Sequence, residues 1–408
     1  MLDQKYISIV KSTVPVLEKH GTQITTRFYQ MLFENHPELL NIFNHANQKK
    51  GRQQQALANT VYAAAQYIDQ LETIVPVVKQ IAHKHRSLGI KPEHYPIVGE
   101  HLLMAIKDVL GDQATDEIIE AWGEAYGVIA DVFIKVEAEM YEEAAAAEGG
   151  WRDFRSFVVD KKVKESDVIT SFYLIPEDGG KLPTFLPGQY ISVKVDAEGE
   201  EYTQIRQYSL SDAPGKPYYR ISVKREEGAN TPDGKISNHL HAHVHAGDKL
   251  EISAPAGDFA LDLDSDEPVV LMSGGVGLTP MMSMLNTIVE QQPERKVTFI
   301  HAAQNSGVHA MNDHVKELTK RHPQLTSYVV YDQPTDSDRE QSLFHKEGYV
   351  TLDWLKNILP SNAAEFYFCG PVPFMKAVNS ALKEWQVPDE KIHFEFFGPA
   401  LDLETQAS

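Results

Sequence analysis

Residues 268–285, PVVLMSGGVGLTPMMSML, join a short apolar run to a glycine cluster and then to residues that favour a helix. The three glycines lack side chains, so the backbone there can approach a phosphate closely. Thr279 suits a helix cap and Pro280 suits the first helical turn, where exposed amides favour an anion. The segment predicts a strand, a phosphate-binding turn and a helix. An ordinary strand-to-helix turn would explain it equally well, and Pro280 stands where a GxGxxG dinucleotide motif needs its third glycine.

The rest of the chain from Pro268 onwards repeats this alternation of strand and helix. Its short apolar runs are PVVLMS, KVTFIHA, TSYVVY and EFYFCG, and each lies next to a helical segment. Strands that alternate with helices predict a parallel sheet of the α/β class.

Upstream, to about residue 263, the pattern is that of antiparallel strands. RSFVVDKKV, VITSFYLI, GQYISVKV and YYRISVKR alternate and are rich in β-branched and aromatic residues, with turn signals between them. They predict a β-barrel. Before that, apolar residues recur at spacings of three and four to about residue 148, which predicts an all-α region.

The fold class is therefore multidomain: an all-α domain, an antiparallel β-barrel and an α/β domain. Gly149-Gly150 follows an alanine-rich helix end and suits a hinge between domains. We predict an all-α domain at 1–148, a linker at 149–152, a barrel at 153–264 and an α/β domain at 265–408.

The composition limits the classes of partner that the protein can bind. The 408 residues contain 58 acidic and 38 basic side chains, a net charge of −20, so nucleic acid and anionic membrane surfaces are poor partners. One cysteine, Cys369, allows no internal disulfide and no centre that needs several thiolates. The N-terminus lacks the pattern of a signal peptide, and no apolar run approaches about 18 residues. We expect a cytoplasmic protein with no integral membrane contact.

Two histidine patterns need separate interpretation. HLHAHVH places histidines at 239, 241, 243 and 245, but it follows a helix start, so only i, i+4 pairs would meet and we expect no metal site there. His85, by contrast, continues a helical stripe of apolar residues where a Leu or Val would be ordinary. It is either a core histidine or a ligand.

The C-terminal two-thirds carry four motifs in a definite order: RQYS at 206–209, GGVGLTP, FYFCGP and a terminal FEFFGP. This succession resembles the ferredoxin–NADP reductase superfamily over about 153–408. The resemblance implies that the barrel binds FAD through Tyr190, Arg206, Gln207, Tyr208, Ser209 and Ser237. It implies that the α/β domain binds NADH or NADPH through Gly275, Val276, Gly277, Leu278, Thr279 and Pro280. Residues that would close over the flavin are Phe396, Phe397, Gly398 and Pro399.

Two points stay open within this resemblance. Cys369 lies in the CGP motif near the expected nicotinamide, although a small buried residue would be equally ordinary there. The strand KVTFIHAAQNSG ends with neither an acid for a ribose hydroxyl nor a clear arginine for a 2′-phosphate. The sequence therefore favours NADH only slightly over NADPH.

The all-α region carries its own pattern: a proline turn leading to Phe43, Gln53 about ten positions on, and His85 about thirty beyond that. This spacing resembles a globin haem pocket. With the reductase behind it, the whole chain, 1–408, resembles the flavohaemoglobins, which implies haem b (heme b) as a third cofactor. His85 would be the proximal iron ligand, Phe43 would pack on the haem and Leu57 would wall the pocket. Tyr29 and Gln53 would face the oxygen ligand.

On the proximal side, Tyr95 and Glu137 would hydrogen-bond the far nitrogen of His85, giving it the electron-donating character that favours oxygen activation. Lys84 and Glu395 match positions that tune the redox groups. Plainer interpretations remain: Glu137, Lys84 and Glu395 as surface charges, and Tyr95 as a residue that packs a loop.

The resemblance implies a nitric oxide dioxygenase, in which NAD(P)H electrons pass through FAD to haem iron and bound O₂ oxidises NO to nitrate, detoxifying NO. The alternatives with the same cofactors are an alkyl or lipid hydroperoxide reductase and an oxygen or NO sensor. A haem-free helical domain beside a flavin reductase is the plainest interpretation. We expect a monomer whose partners are O₂, NO and NAD(P)H, with an aliphatic haem pocket that would also accept lipid.

Overall fold

The structure is a computed structural model that describes residues 2–43, 48, 51–197, 199–226 and 234–398. By its internal contacts the chain divides into two compact units. The first comprises residues up to 155 together with 192–206, and the second comprises 156–191 together with 207–397. The three-way domain division drawn from the sequence stays a prediction.

The N-terminal region is helical, as predicted. Its helices are α1 (Gln4–Ser12), α2 (Val14–Asn35), α3 (Arg52–Gln66), α4 (Val75–Leu88), α5 (His94–Leu110) and α6 (Asp116–Ala146), with a 3₁₀ turn at Pro37–Asn41. Helix α4 ends at Leu88 and is followed by Gly89, whose φ of +80° is easily reached only without a side chain. Helix α6 begins at Thr115, whose side chain accepts a hydrogen bond from the amide of Ile118.

The core of this region is built from the apolar faces of these helices. Phe28 and Leu32 of α2 and Ile106 of α5 are almost completely buried. Trp122 of α6 is buried too, and its indole N–H donates to the hydroxyl of Thr13 at 3.2 Å. Packing of these faces, rather than helix propensity alone, stabilises the helices.

The turn after α6 is tightly packed. Gly149 has a φ of +76°, and the amide of Gly150 donates to the carbonyl of Ala147 at 2.7 Å. A β-carbon at Gly150 would overlap the carbonyl oxygen of Ala144. Glycine at 150 is therefore needed to close the turn against the helix end.

The next region is an antiparallel sheet, as predicted. Its strands are β1 (Phe154–Lys164), β2 (Ile169–Pro176), β3 (Tyr190–Val195), β4 (Gln204–Ser209), β5 (Tyr219–Lys224) and β6 (Lys249–Ser253), in the order β4-β3-β6-β1-β2-β5. An antiparallel bridge between Leu210 and Ile221 links the ends of this order and so closes the barrel. A short helix, α7 (Lys235–His243), precedes β6.

The C-terminal region is a parallel sheet flanked by helices, again as predicted. Its strands are β7 (Val269–Gly274), β8 (Val297–Ala303), β9 (Leu325–Tyr331), β10 (Lys346–Glu347), β11 (Glu365–Cys369) and β12 (Ile392–Glu395), in the order β10-β9-β8-β7-β11-β12. Its helices are α8 (Leu278–Gln291), α9 (Asn312–Arg321), α10 (Asp336–Glu340), α11 (Leu352–Ile358) and α12 (Val372–Glu384). Each face of this sheet has its own apolar core, one including Leu271 and Phe299 and the other Met272 and Phe366.

Within the described ranges, no helix is both long and apolar enough to cross a membrane.

Candidate functional site

His85 lies in the last turn of α4 and is held on one side by two other residues. Its Nδ1 lies 2.7 Å from Oε1 of Glu137 and 3.2 Å from the hydroxyl of Tyr95, and that hydroxyl donates to the same Oε1 at 2.6 Å. Because a carboxylate only accepts, His85 carries a proton on Nδ1 and presents the lone pair of Nε2. No hydrogen bond in the described part of the chain involves Nε2, so this nitrogen fits an iron ligand.

Glu137 is not a surface acid. It is 3% exposed, because α6 turns it inwards on the face that also carries Phe133. Tyr95, at the start of α5, has a raised pKa because it is buried and because Glu137 disfavours its anion. The phenol therefore stays protonated and keeps donating to Glu137. The plainer interpretations of these two residues do not describe this geometry.

Three aromatic residues that the sequence patterns did not single out hold this network. The ring of Phe133 lies 5.9 Å from that of His85. The Tyr126 hydroxyl donates to the carbonyl of Tyr95 at 2.7 Å, and Tyr141 donates to the carbonyl of Ile90 at 2.8 Å, just beyond α4. All three lie at helical spacing with Glu137 along α6, a stripe visible in the sequence.

Tyr29 lies on α2 and is 6% exposed. Its ring contacts Phe33 at 5.7 Å and Phe43 at 5.8 Å between centroids. Burial raises the pKa of its phenol, and a hydrogen bond with Gln53 acts in the opposite direction. Apolar rings therefore surround the protonated hydroxyl of Tyr29. Gln53 of α3, which is predicted to face the same ligand, lies next to this hydroxyl.

Leu57 follows Gln53 by one turn on α3, as predicted, and packs against the same apolar core as Phe43. Lys84 precedes His85 on α4 and is half-buried. The structure gives no separate indication of a role for Lys84, which stays a prediction.

Four of the residues predicted to hold FAD lie on β4. Arg206, Gln207 and Tyr208 are half-exposed in the middle of this strand, and Ser209 is buried at its end. The Arg206 guanidinium donates to the carbonyl of Ile205 at 2.8 Å. Accessible polar groups of these types fit a ligand with a pyrophosphate and a ring edge.

Two further residues of this set lie elsewhere in the barrel region. Tyr190 begins β3 and lies beside Gly257, where a β-carbon would come within 3.0 Å of the tyrosine ring. Ser237 is buried in α7, and its hydroxyl donates to the carbonyl of Gly234 at 2.9 Å and accepts from the amide of Glu226 at 3.1 Å. Because this hydroxyl's proton is already donated, a bond from Ser237 to a pyrophosphate would require it to change partner.

The glycine turn after β7 is a 3₁₀ turn at Gly275–Gly277, and its glycines serve different purposes. Gly275 has a φ of +53° and open space where a side chain would begin, which leaves its backbone accessible to a phosphate. At Gly277, a β-carbon would overlap the carbonyl oxygen of Cys369. Gly277 is therefore required for the close packing of the turn on β11.

The expected helix cap at Thr279 is wrong. Helix α8 begins at Leu278, so Thr279 lies inside the first turn, and its hydroxyl donates to the carbonyl of Val276 at 3.1 Å. The helix begins earlier because the 3₁₀ turn runs directly into it. Pro280 lies in the first turn, as predicted, and Leu278 to Pro280 are buried.

Cys369 ends β11 and pairs in register with Glu395, the last residue of β12. Burial, and then the charge of Glu395, raise the pKa of the Cys369 thiol, so the thiol is neutral. Phe396 is half-buried and Phe397 is 47% exposed, which suits residues that cover a ligand. Gly398 has a φ of +148°, and Pro399 lies outside the described residues.

The second histidine pattern shows the predicted helical pairing, with the rings of His239 and His243 5.4 Å apart. His241 instead donates from Nε2 to the carbonyl of Val223 at 2.8 Å. Among the residues that the structure describes, no group of three potential ligands is arranged for a metal ion.

Comparison with known proteins agrees with this architecture. The family profiles that match are those of the globins at 26–133, the oxidoreductase FAD-binding domain at 156–261 and the oxidoreductase NAD-binding domain at 271–380. The chain is 67% identical to a flavohemoprotein of Bacillus cereus over 404 residues, covering 99% of this chain and 100% of that one. A Bacillus subtilis flavohemoprotein is 56% identical over 403 residues, covering 99% of both chains.

Solved structures agree too. The flavohemoglobin of Malassezia yamatoensis with bound FAD and heme is 27% identical, with a TM-score of 0.84 over 97% of this chain and 100% of that one. The FAD/NAD-binding domain of a Vibrio cholerae nitric oxide dioxygenase is 40% identical, with a TM-score of 0.56 over 61% of this chain and all of that one. This chain, an oxidoreductase with a globin domain for haem, an FAD-binding domain and an NAD-binding domain, belongs to the flavohemoprotein family.

Proposed function

We propose that this protein is a cytoplasmic nitric oxide dioxygenase that converts NO and O₂ to nitrate with electrons from NAD(P)H. Its partners are then small molecules only, and the chain acts as a monomer. The observation that carries the proposal is the 2.7 Å contact between Nδ1 of His85 and the buried carboxylate of Glu137. A protein that only stores oxygen has little use for a charged group behind its proximal histidine.

On the proximal side, Glu137 and Tyr95 hold the proton on Nδ1 of His85. Glu137 accepts from both His85 and Tyr95 through a single oxygen. A carboxylate in this position makes the imidazole a stronger electron donor at Nε2. Because Glu137 is buried, water does not screen this effect.

On the distal side, Tyr29 supplies a hydrogen-bond donor. Its raised pKa keeps the hydroxyl protonated, and the rings of Phe33 and Phe43 fix its position. A preorganised donor in an apolar pocket stabilises negative charge as it develops on a ligand. Gln53 contacts the same hydroxyl and orients it.

When bound, the three cofactors supply the redox chemistry: the dinucleotide gives up a hydride, the flavin divides the electron pair, and the haem accepts single electrons and activates oxygen. The chain contributes the accessible backbone at Gly275 for the dinucleotide phosphates. Cys369 would lie near the nicotinamide, where its neutral thiol would add no negative charge.

The test is NO consumption by the purified holoprotein, followed with an NO electrode in the presence of NADH and air. We expect rapid loss of NO with nitrate as the product, and no loss when either NADH or O₂ is left out. An alkyl hydroperoxide is offered to the same protein in parallel. Rapid NO loss without NADH or O₂, or faster turnover of the hydroperoxide than of NO, would contradict the proposal.

A further inference from the structure

Asn41 ends the 3₁₀ turn Pro37–Asn41 that follows α2, and both ends of its side-chain amide are bonded. Its Nδ2 donates to the carbonyl of Glu38 at 2.9 Å, within the same turn. Its Oδ1 accepts from the backbone amide of Thr203 at 2.9 Å, far along the chain. The bond to Glu38 fixes the orientation of the Asn41 amide, so Oδ1 is already placed to accept from Thr203.

Thr203 belongs to the loop between β3 and β4, and this loop is shaped by its own contacts. The Thr203 hydroxyl donates to Oδ1 of Asp196 at 2.6 Å, which joins the end of β3 to the start of β4. Asn41 therefore bonds to a loop that is already closed, and it does not create the fold of that loop.

The two ends of this bond lie close, along the chain, to residues of the two redox sites. Phe43, in the cluster around Tyr29, comes two positions after Asn41. Arg206 on β4 comes three positions after Thr203. Spans this short reach at most about 7 and 11 Å. Asn41, Phe43, Thr203 and Arg206 all belong to the first compact unit, so the bond lies within one body.

The surroundings explain why a neutral amide is suited to this position. Asn41 and the loop line a cavity of about 500 Å³, and the loop contributes Asp196, Glu200 and Glu201. A carboxylate in place of Asn41 would face these acids at close range. The neutral side-chain amide of Asn41 accepts the hydrogen bond from the Thr203 backbone N–H without adding charge.

We propose that Asn41 is a positioning residue that fixes the haem-side turn against the loop leading into the flavin-side strand. It thereby sets the spacing over which electrons pass from flavin to haem. This inference rests on the proposed function, because it concerns the electron transfer which that function requires. Asn41 touches neither reacting group and acts through the backbone that carries Phe43 and Arg206.

The first test is structural and uses the holoprotein. Amide hydrogen exchange at Thr203 is compared between the parent and Asn41→Ala. We expect the Thr203 amide to be protected in the parent and to exchange about fivefold faster in the variant, the factor that the loss of one ordinary hydrogen bond produces. Asn59→Ala is the matched control, since the exposed Asn59 accepts from Gln55 on the same helix, at 2.9 Å.

The second test separates two electron-transfer steps by stopped-flow absorption under anaerobic conditions. In Asn41→Ala we expect NADH to reduce the flavin at the parent rate and the flavin to reduce the haem more slowly. Asn41→Asp keeps an acceptor oxygen, so it should recover Thr203 protection and the haem-reduction rate at high ionic strength, where repulsion from the loop acids is screened.

Three outcomes would overturn the inference: unchanged exchange at Thr203 in Asn41→Ala, lost protection with an unchanged haem-reduction rate, or an equal slowing of both electron-transfer steps. Failure of the proposed function looks different. In that case the parent itself would consume no NO, whatever Asn41 does to the rate of haem reduction.

Discussion

Oε1 of Glu137 lies 2.7 Å from Nδ1 of His85 and 2.6 Å from the hydroxyl of Tyr95, so one buried oxygen accepts from both. Glu137→Gln keeps the shape and an acceptor but removes the charge. We expect the midpoint potential of the haem to rise and NO consumption to fall about tenfold, the lower end of the range for such supporting residues. A reductive titration and the NO electrode measure the two effects.

The matched control is Glu139→Gln, which changes an exposed acid on the same helix. It should leave both quantities unchanged. An unaltered potential in Glu137→Gln would show that the carboxylate does not act on the metal through His85.

Tyr29→Phe removes one hydroxyl and keeps the ring between Phe33 and Phe43. We expect O₂ to dissociate at least about tenfold faster, because a hydrogen bond to a ligand that carries charge is worth roughly 1.5–3 kcal/mol. Burial raises the pKa of Tyr29 above its ordinary value of 10, so the proton stays on the phenol up to that pH. The dissociation rate of the parent should therefore be flat to pH 10, and a rise below pH 9 would contradict the assignment.

The two glycines of the phosphate turn should respond differently to alanine. Gly277→Ala places a β-carbon on the carbonyl oxygen of Cys369, which we expect to cost about 3 kcal/mol of stability. Gly275→Ala meets open space and bears only the strain of its positive φ, about 1 kcal/mol. Thermal unfolding shows which variant is the less stable. In the folded Gly275→Ala variant, reduction of the flavin by NADH should be slower than in the parent. Equal destabilisation by the two changes would contradict the packing role of Gly277.

His301 makes stability depend on pH. It is buried, with Nδ1 2.8 Å from the hydroxyl of Ser273, and burial lowers its pKa from 6.5 to about 4. The unfolded chain therefore binds a proton at higher pH than the folded one, and stability is lost as the pH falls from 6.5 towards 4. The loss should reach about 3 kcal/mol.

In His301→Asn, which keeps a hydrogen-bonding group near Ser273, this dependence should flatten. Urea unfolding at pH 7 and pH 4.5 gives the comparison, with His245→Asn at an exposed site as the control. Equal slopes in the parent and His301→Asn would remove His301 as the cause.

The sequence predicts most of the fold because its signals are local. Alternation identifies β1, β2, β3 and β5, and helical spacing identifies α4. The error at Thr279 is one of boundary only. A 3₁₀ turn that continues into a helix has no sequence signature distinct from a capped start.

Long-range contacts are what the sequence cannot supply. The reason for glycine at 277 is the carbonyl of Cys369, which is distant in sequence. By residue pattern alone Glu137 is one acid among several in KVEAEMYEE; the family resemblance singles it out, and the packing of α6 against α4 brings it to His85. The sequence likewise does not show that the Ser237 hydroxyl is hydrogen-bonded to the backbone of Gly234 and Glu226.

Helix α6 gives the segment beyond Glu137 a fixed length. Glu137 lies about 14 Å before the helix ends, at 1.5 Å of rise per residue. Beyond that end, the chain has no room at Gly150 for even a methyl group. One residue inserted just after Glu137 would turn everything beyond it by about 100° and carry Tyr141 away from the carbonyl of Ile90. The segment between Glu137 and Gly150 should therefore accept substitutions at its exposed positions, but no insertion or deletion.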